Sequence, residues 1–266
     1  MRNFLVITAF LASGVAAKPA APNPFLGTFT NEEQVYFDKE AGQTPPPWFS
    51  MKITPRPDGL MIDEIDAFGK PHSTGHALKL SHEGAVTVLD YGNCQRLYMS
   101  KGTALVASGN RGKCSAPATI TQAGPEGLTL TFPNGKTSLL RRARDVTCWA
   151  AVPKTIKKPD GSPDWYFMQN VKMHDQGGRA MIGGEASGAE PIVIRMRSVT
   201  WPAGSTNRPS TVLYVHKPDN PDHAESYAWA DPGAARIGIN LRWMQASCTV
   251  DGAEAPSKIT TKTFRG

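Results

Sequence analysis

From Trp48 onward the chain is punctuated. Short runs in which apolar and polar residues alternate follow one another, and nearly every run ends in a turn signal: Arg56-Pro57-Asp58-Gly59, His82-Glu83-Gly84, Gly92-Asn93, Gly109-Asn110, Pro133-Asn134-Gly135. A period of two sends alternate side chains to opposite faces, so each run can lay one face on a core. Strands are expected at 48–54, 60–68, 75–81, 85–91, 95–100, 103–108, 116–122, 127–132 and 137–144. After a break they resume at 165–174, 179–184, 190–201, 210–217, 225–229 and 236–247. In the last of these Ile237, Ile239, Leu241 and Trp243 alternate with Arg236, Gly238, Asn240 and Arg242, which reads as one half-buried strand. Many short strands at close spacing make a sandwich or a barrel, so the fold class is all-β and antiparallel.

One stretch breaks the pattern. GTFTNEEQVYF (27–37) has no two-residue alternation. Thr30 followed by Glu33 has the spacing of a capping box, and Thr44-Pro45-Pro46-Pro47 is a stop. A short helix ending near Gly42 is expected, serving as a lid or plug ahead of the sheet.

Residues 1–17, MRNFLVITAFLASGVAA, carry one positive charge at Arg2, an apolar core from Phe4 to Leu11 and small residues at the end. That is the pattern of a secretory signal peptide, and it places the protein in the periplasm or outside the cell. Residues 18–24 read as a linker, 25–150 as a first β lobe, 151–163 as a second linker, 164–250 as a second β lobe and 251–266 as a tail. WFSM (48–51) echoes WYFM (165–168), and LMIDEIDAFGKP (60–71) can be laid on AMIGGEASGAEP (180–191). The echo leaves open a duplication or a recurrence of hairpin chemistry. The four cysteines, Cys94, Cys114, Cys148 and Cys248, all follow the signal segment. They allow three pairings, of which Cys94–Cys114, closing a short loop, with Cys148–Cys248, tying the start of the second half to its end, is preferred. No CxxC occurs and the spacings fit no zinc site, so neither a metal nor a cofactor is implied.

GTFTNEEQ (27–34) resembles the G-x-F-x-N-x-x-Q segment near the start of the T-type (CpcT/CpeT) phycobiliprotein chromophore lyases. Cys94, a following strand and Gly112-Lys113-Cys114 resemble that family's paired cysteines, and GLTLTFPNGKTSLLRRA (127–143) its closing strands. The resemblance covers roughly 25–145. It implies a lipocalin-like (calycin) antiparallel barrel with a short N-terminal helix, closed with the help of Asn31 and Gln34, and a bilin-lyase-like handling of a chromophore.

The charges argue against nucleic acid. The formal net charge of +6 is mild and no basic run occurs. No Gly-x-Ser-x-Gly elbow, P-loop or HExxH appears, so the sequence leans away from an enzyme. His72 and His76, four apart, sit in a Gly-bearing turn, and His216 and His223 flank a polar loop. His174-Asp175, at the end of a strand, is the one pair suited to acid–base work if it faces a pocket. Arginines make the most suggestive set. Arg195 and Arg197 share a strand face with Val193 and Val199, Arg142 and Arg144 share one with Leu140, and Arg236 and Arg242 share one with Asn240. Such faces ordinarily meet solvent, because a buried guanidinium needs a partner. Turned inward, they hold an acidic small molecule. The resulting expectation is an exported, non-catalytic binding protein for a small apolar or acidic ligand or for an envelope partner, with Arg195, Arg197, Arg242 and Asn240 as ligand-binding candidates. The alternatives are an enzyme using His174 and Asp175 with nearby arginines, and the chromophore-handling protein.

Overall fold

The structure, a computed structural model, describes residues 23–72, 74–114 and 118–252. The expected signal segment, most of the first linker and most of the tail lie outside the described residues. The protein is all-β apart from one short helix and a single 3-10 turn.

Ten strands form the first lobe: β1 (Gly27–Thr30), β2 (Ser50–Arg56), β3 (Gly59–Glu64), β4 (His76–Glu83), β5 (Val86–Asp90), β6 (Cys94–Lys101), β7 (Ala104–Gly112), β8 (Thr119–Gly124), β9 (Gly127–Thr131) and β10 (Thr137–Ala143). Each pairs with the next, and β10 returns to pair with β1, which closes an antiparallel barrel. Closure removes the sheet edges. The inward residues Phe25, Phe29, Ile53, Leu60, Leu89, Tyr98, Leu128 and Leu140 are all essentially inaccessible. Phe25 meets Tyr98 edge-on, with ring centroids 5.2 Å apart. Arg142 stacks on Phe29 at 4.7 Å and donates to the carbonyls of Pro24, Leu26, Pro125 and Gly124, tying the chain entering β1 to the β8–β9 turn.

The barrel ends earlier than position 150. β11 (Asp145–Pro153) already belongs to the second lobe, where it pairs with β12 (Trp165–His174) and with β18 (Met244–Val250). The division between lobes falls at Arg144, and the expected linker 151–163 is partly strand. β11 does alternate, with Val146, Cys148, Ala150 and Val152 buried on one face, but it runs straight into the Pro- and Lys-rich stretch from Pro153 onward, which masks its end. The remaining strands are β13 (Gln176–Gly184), β14 (Ala189–Val199), β15 (Ser210–Lys217), β16 (Asn220–Ala230) and β17 (Arg236–Leu241). They make two four-stranded sheets, β12-β11-β18-β17 and β13-β14-β15-β16, which share one apolar core. The chain crosses between the sheets at both sides, from β12 to β13 and from β16 to β17. The expected single strand 236–247 is a hairpin: Leu241 pairs with Met244 across a turn at Arg242-Trp243. That turn contains no Gly, Asn or Pro to announce it. The lobes differ in sheet topology, so the echo between 48–71 and 165–191 is a likeness of hairpins set in different surroundings.

Both expected disulfides are present, Cys94–Cys114 in the barrel and Cys148–Cys248 in the second lobe. Cys148 and Cys248 stand directly opposite each other on β11 and β18, with Cα atoms 4.0 Å apart, so this bridge fastens the first strand of its lobe to the last. Two disulfides suit an oxidising compartment. No helix among the described residues is long and apolar enough to cross a membrane.

The helix α1 (Glu32–Glu40) is neither lid nor plug; it is a wedge between the lobes. The capping box does not form, because Glu33 reaches away from the cap. Its carboxylate accepts from Arg141 Nε of the barrel at 2.7 Å and from the Thr200 backbone N–H of the second lobe at 2.5 Å. Thr30 Oγ1 accepts instead from the Glu32 N–H. Gln34 Oε1 accepts from the Leu139 N–H at 2.9 Å, and Phe37 lies 5.6 Å from the Trp201 ring. Asn31, fully buried, donates to the Pro47 carbonyl and Ser138 Oγ and accepts from the Phe49 N–H. Asn31 thus joins the corner after β1 to both β2 and β10. Asn31→Ala strips three bonds from groups sealed off from water and is expected to cost about 3 kcal/mol. Urea unfolding of the barrel measures it, and a loss under about 1 kcal/mol would show that the corner holds without the amide.

Candidate ligand cavity and the arginine seam

The barrel is packed through its middle and hollow at both ends. One cavity, of about 960 Å³, lies beside Pro24, Phe25, Leu80, Leu105 and Arg142. The other, of about 560 Å³, is walled by Phe49, Met51, Ile62, Leu78, Ala118, Ile120, Leu130 and Phe132. The two walls share no residue. On β5, Thr87 faces the first cavity and Tyr91, just past the strand, faces the second, with the buried Leu89 between them. Glu64, His76 and Asn93 border the smaller cavity.

Polar groups converge behind this smaller, apolar cavity. Tyr98 donates its hydroxyl to the Ile120 carbonyl at 2.7 Å. The Tyr91 hydroxyl is buried without a partner of hydrogen-bonding geometry, although Tyr98 and the Ile120 carbonyl stand close enough to influence its titration. Burial pushes both phenols above their ordinary range. Arg96 lies two residues before Tyr98 on the same face of β6; its cross-strand partner is Leu89, as that of Tyr98 is Thr87. The Arg96 charge works against the burial and lowers both phenols, and its Nε is buried without a partner. The apolar hollow is therefore bordered by the Tyr91 phenol, and behind that phenol lies a guanidinium with unused hydrogen-bonding capacity at Nε. An amphipathic acid has that shape and polarity in reverse.

The residues singled out from sequence fall elsewhere. Asp175 is 1% exposed and serves as a clamp: it accepts from Arg144 through the backbone N–H at 2.7 Å and through Nε at 2.5 Å, and from Ser198 Oγ at 3.1 Å. His174 is also buried, and desolvation lowers its pKa against the opposing pull of Asp175, Asp145 and Glu32. Neither residue is among those lining the two barrel cavities. Asn240 and Arg236 border a shallow hollow of about 480 Å³ on the outside of the β12-β11-β18-β17 sheet, and Arg242 stands exposed in the adjoining turn. Arg195 and Arg197 are on the other sheet, so the four candidates form no common site.

Arg195 and Arg197 do not meet solvent in the ordinary way either. Their face of β14 is covered by α1. Arg195 Nη2 pairs with Glu32 Oε1, and Trp48 Nε1 donates to the other Glu32 oxygen at 2.7 Å. Arg197, 5% exposed, lies flat over the Tyr36 ring at 4.1 Å. Gly177 makes the close approach possible: with φ +86°, it sits where a Cβ would come within 2.7 Å of Glu32 Cγ. Arg179, not singled out from the sequence, stands directly across from Arg195 on β13.

No family model, curated protein or solved structure matches the chain. The reading of function rests on the geometry.

Proposed function

We propose that this is an exported, non-catalytic binding protein whose lipocalin-like barrel carries a small amphipathic acid. The apolar body occupies the hollow between Phe49 and Phe132, and the acidic head turns toward Tyr91 and Arg96. The observation that carries this reading is an apolar cavity of ligand size, bordered by Tyr91, with the buried Arg96 Nε close to that phenol and without a hydrogen-bond partner. Buried polar groups are nearly always satisfied, so the unpartnered guanidinium nitrogen points to something that satisfies it. The up-and-down barrel, the helix following β1, and the roles of Asn31 and Gln34 in closing it support the likeness to the lipocalin-like lyases in fold. The two disulfides support export to an oxidising compartment, periplasmic or extracellular.

Decanoate and decanol separate the two halves of this proposal. Decanoate binding should be measurable by calorimetric titration, and Ala118→Trp, which fills the hollow, should reduce it at least about tenfold. Arg96→Gln should weaken decanoate by about tenfold, or about 1.4 kcal/mol, and leave decanol unchanged. Equal losses for acid and alcohol would remove Arg96 from the site, and binding of neither would refute the barrel as a carrier. Native mass spectrometry of protein purified from its own host would reveal a retained ligand directly.

A further inference from the structure

The seam between the lobes holds an excess of positive charge. Arg179 and Arg195 are directly cross-strand, and Arg197 follows Arg195 on the same face of β14. Like charges in that relation repel, and the effect is visible at Arg195, whose pKa burial lowers first and which Arg197 and Arg179 lower further. Of the three, the Glu32 carboxylate bonds only Arg195, and its other oxygen accepts from Trp48. The neighbouring Glu33 is already committed to Arg141 and the Thr200 N–H. Among the described residues the Arg179 guanidinium has no hydrogen-bond or ion-pair partner, and its Nε is buried. Arg195 Nε is likewise buried and unused. Arg197 is almost wholly buried, yet it has only the Tyr36 ring. Guanidiniums kept from water need acceptors, and a fork of N–H groups matches an oxyanion.

We propose that the seam is an anion site, in which an oxyanion group, carboxylate or phosphate, is held by Arg179 and Arg197 with Arg195 beside them. The anion supplies the acceptors that the protein does not, and it relieves the Arg179–Arg195 repulsion. Arg195 and Glu32 keep side-chain exposures of 12% and 13%, so the seam is not sealed against a small solute. An anion seated there touches β13 and β14 directly and is linked to α1 through the Arg197–Tyr36 and Arg195–Glu32 contacts, so its binding strengthens the junction of the two lobes. The site is on the outer face of the second lobe and does not depend on the barrel cavity.

Inorganic phosphate and acetate, each titrated against chloride at constant ionic strength, test the proposal on the intact protein. At about a hundredfold the dissociation constant, a bound anion should raise the unfolding midpoint by about 5 °C. Phosphate also stabilises proteins generally by exclusion from their surfaces, so the deciding comparison is with Arg179→Gln. Arg179 bonds nothing through its side chain, so the variant should fold, which its circular dichroism would check. It should lose the anion-specific rise and unfold higher than the parent in chloride, because a repulsion has been removed. A preference for phosphate assigns a phosphate group, and a preference for acetate assigns a carboxylate. Equal shifts in parent and variant, or no shift with either anion, would overturn the site. If the variant proves unstable, calorimetric titration of the parent with phosphate and with acetate decides the matter directly: measurable binding supports the site, and none with either anion overturns it.

Discussion

Replacing Cys148 and Cys248 together by alanine is expected to lower the stability of the second lobe by about 4 kcal/mol. The bridge spans a sequence separation of 100 residues, and in the chain-entropy account a closed loop of that size restricts the unfolded state by about that amount. The same pair also holds β11 to β18, the contact between the lobe's first and last strands. No side-chain hydrogen bond crosses to the barrel from either cysteine, so the barrel's own transition should keep its midpoint. Calorimetric scans of the parent and the double variant would show this as one transition moving while the other stays. A shift shared by both lobes would mean that they unfold as one unit.

Asp175→Ala should be nearly as damaging, at about 3 kcal/mol, for a different reason. Asp175 accepts two bonds from Arg144, the residue at which the barrel ends and the second lobe begins, and its own N–H donates to the Arg144 carbonyl. Its carboxylate is almost completely buried. Removing one member of such a pair leaves the other charge short of partners. Arg144 retains the Pro232 carbonyl and Ser198 Oγ, which keeps the cost toward the lower end of the usual range. Asp175→Asn, which preserves an acceptor for the Arg144 N–H, should cost clearly less. Urea denaturation of both variants reads the difference. Equal and small losses would show that the junction is held elsewhere, and decanoate binding unchanged in Asp175→Ala would separate this clamp from any role in ligand handling.

The cadence of strands is legible in the sequence because most turns carry Gly, Asn or Pro, residues suited to backbone conformations that others adopt at a cost. Where the turn lacks them, at Arg242-Trp243, two strands read as one. Where a strand runs into a Pro- and Lys-rich stretch, as β11 does at Pro153, its end reads as linker. The cysteine pairing is legible because Cys94 and Cys114 are near enough in sequence to close a short loop, which leaves Cys148 for Cys248. The arginines stand out by their residue type, but their setting does not. Alternation tells which residues share a face of β14, and it says nothing of a helix from far upstream lying over that face. Arg96 and Tyr98 escape notice for a related reason: one strand of a barrel does not reveal which of its faces points inward until its neighbours are known. Glu32 and Glu33 look like ordinary first-turn acids of a helix, and only the tertiary arrangement makes them the joint between two lobes.

Both lobes finish by joining their last strand to their first, β10 to β1 and β18 to β11. Neither can therefore assume its native shape while its final segment is still being delivered. Thr30 must wait for Arg141, and Cys148 for Cys248. Such distant pairings give a high contact order and slow folding. Oxidation of Cys148 with Cys248 then latches a lobe whose last strand has only just arrived.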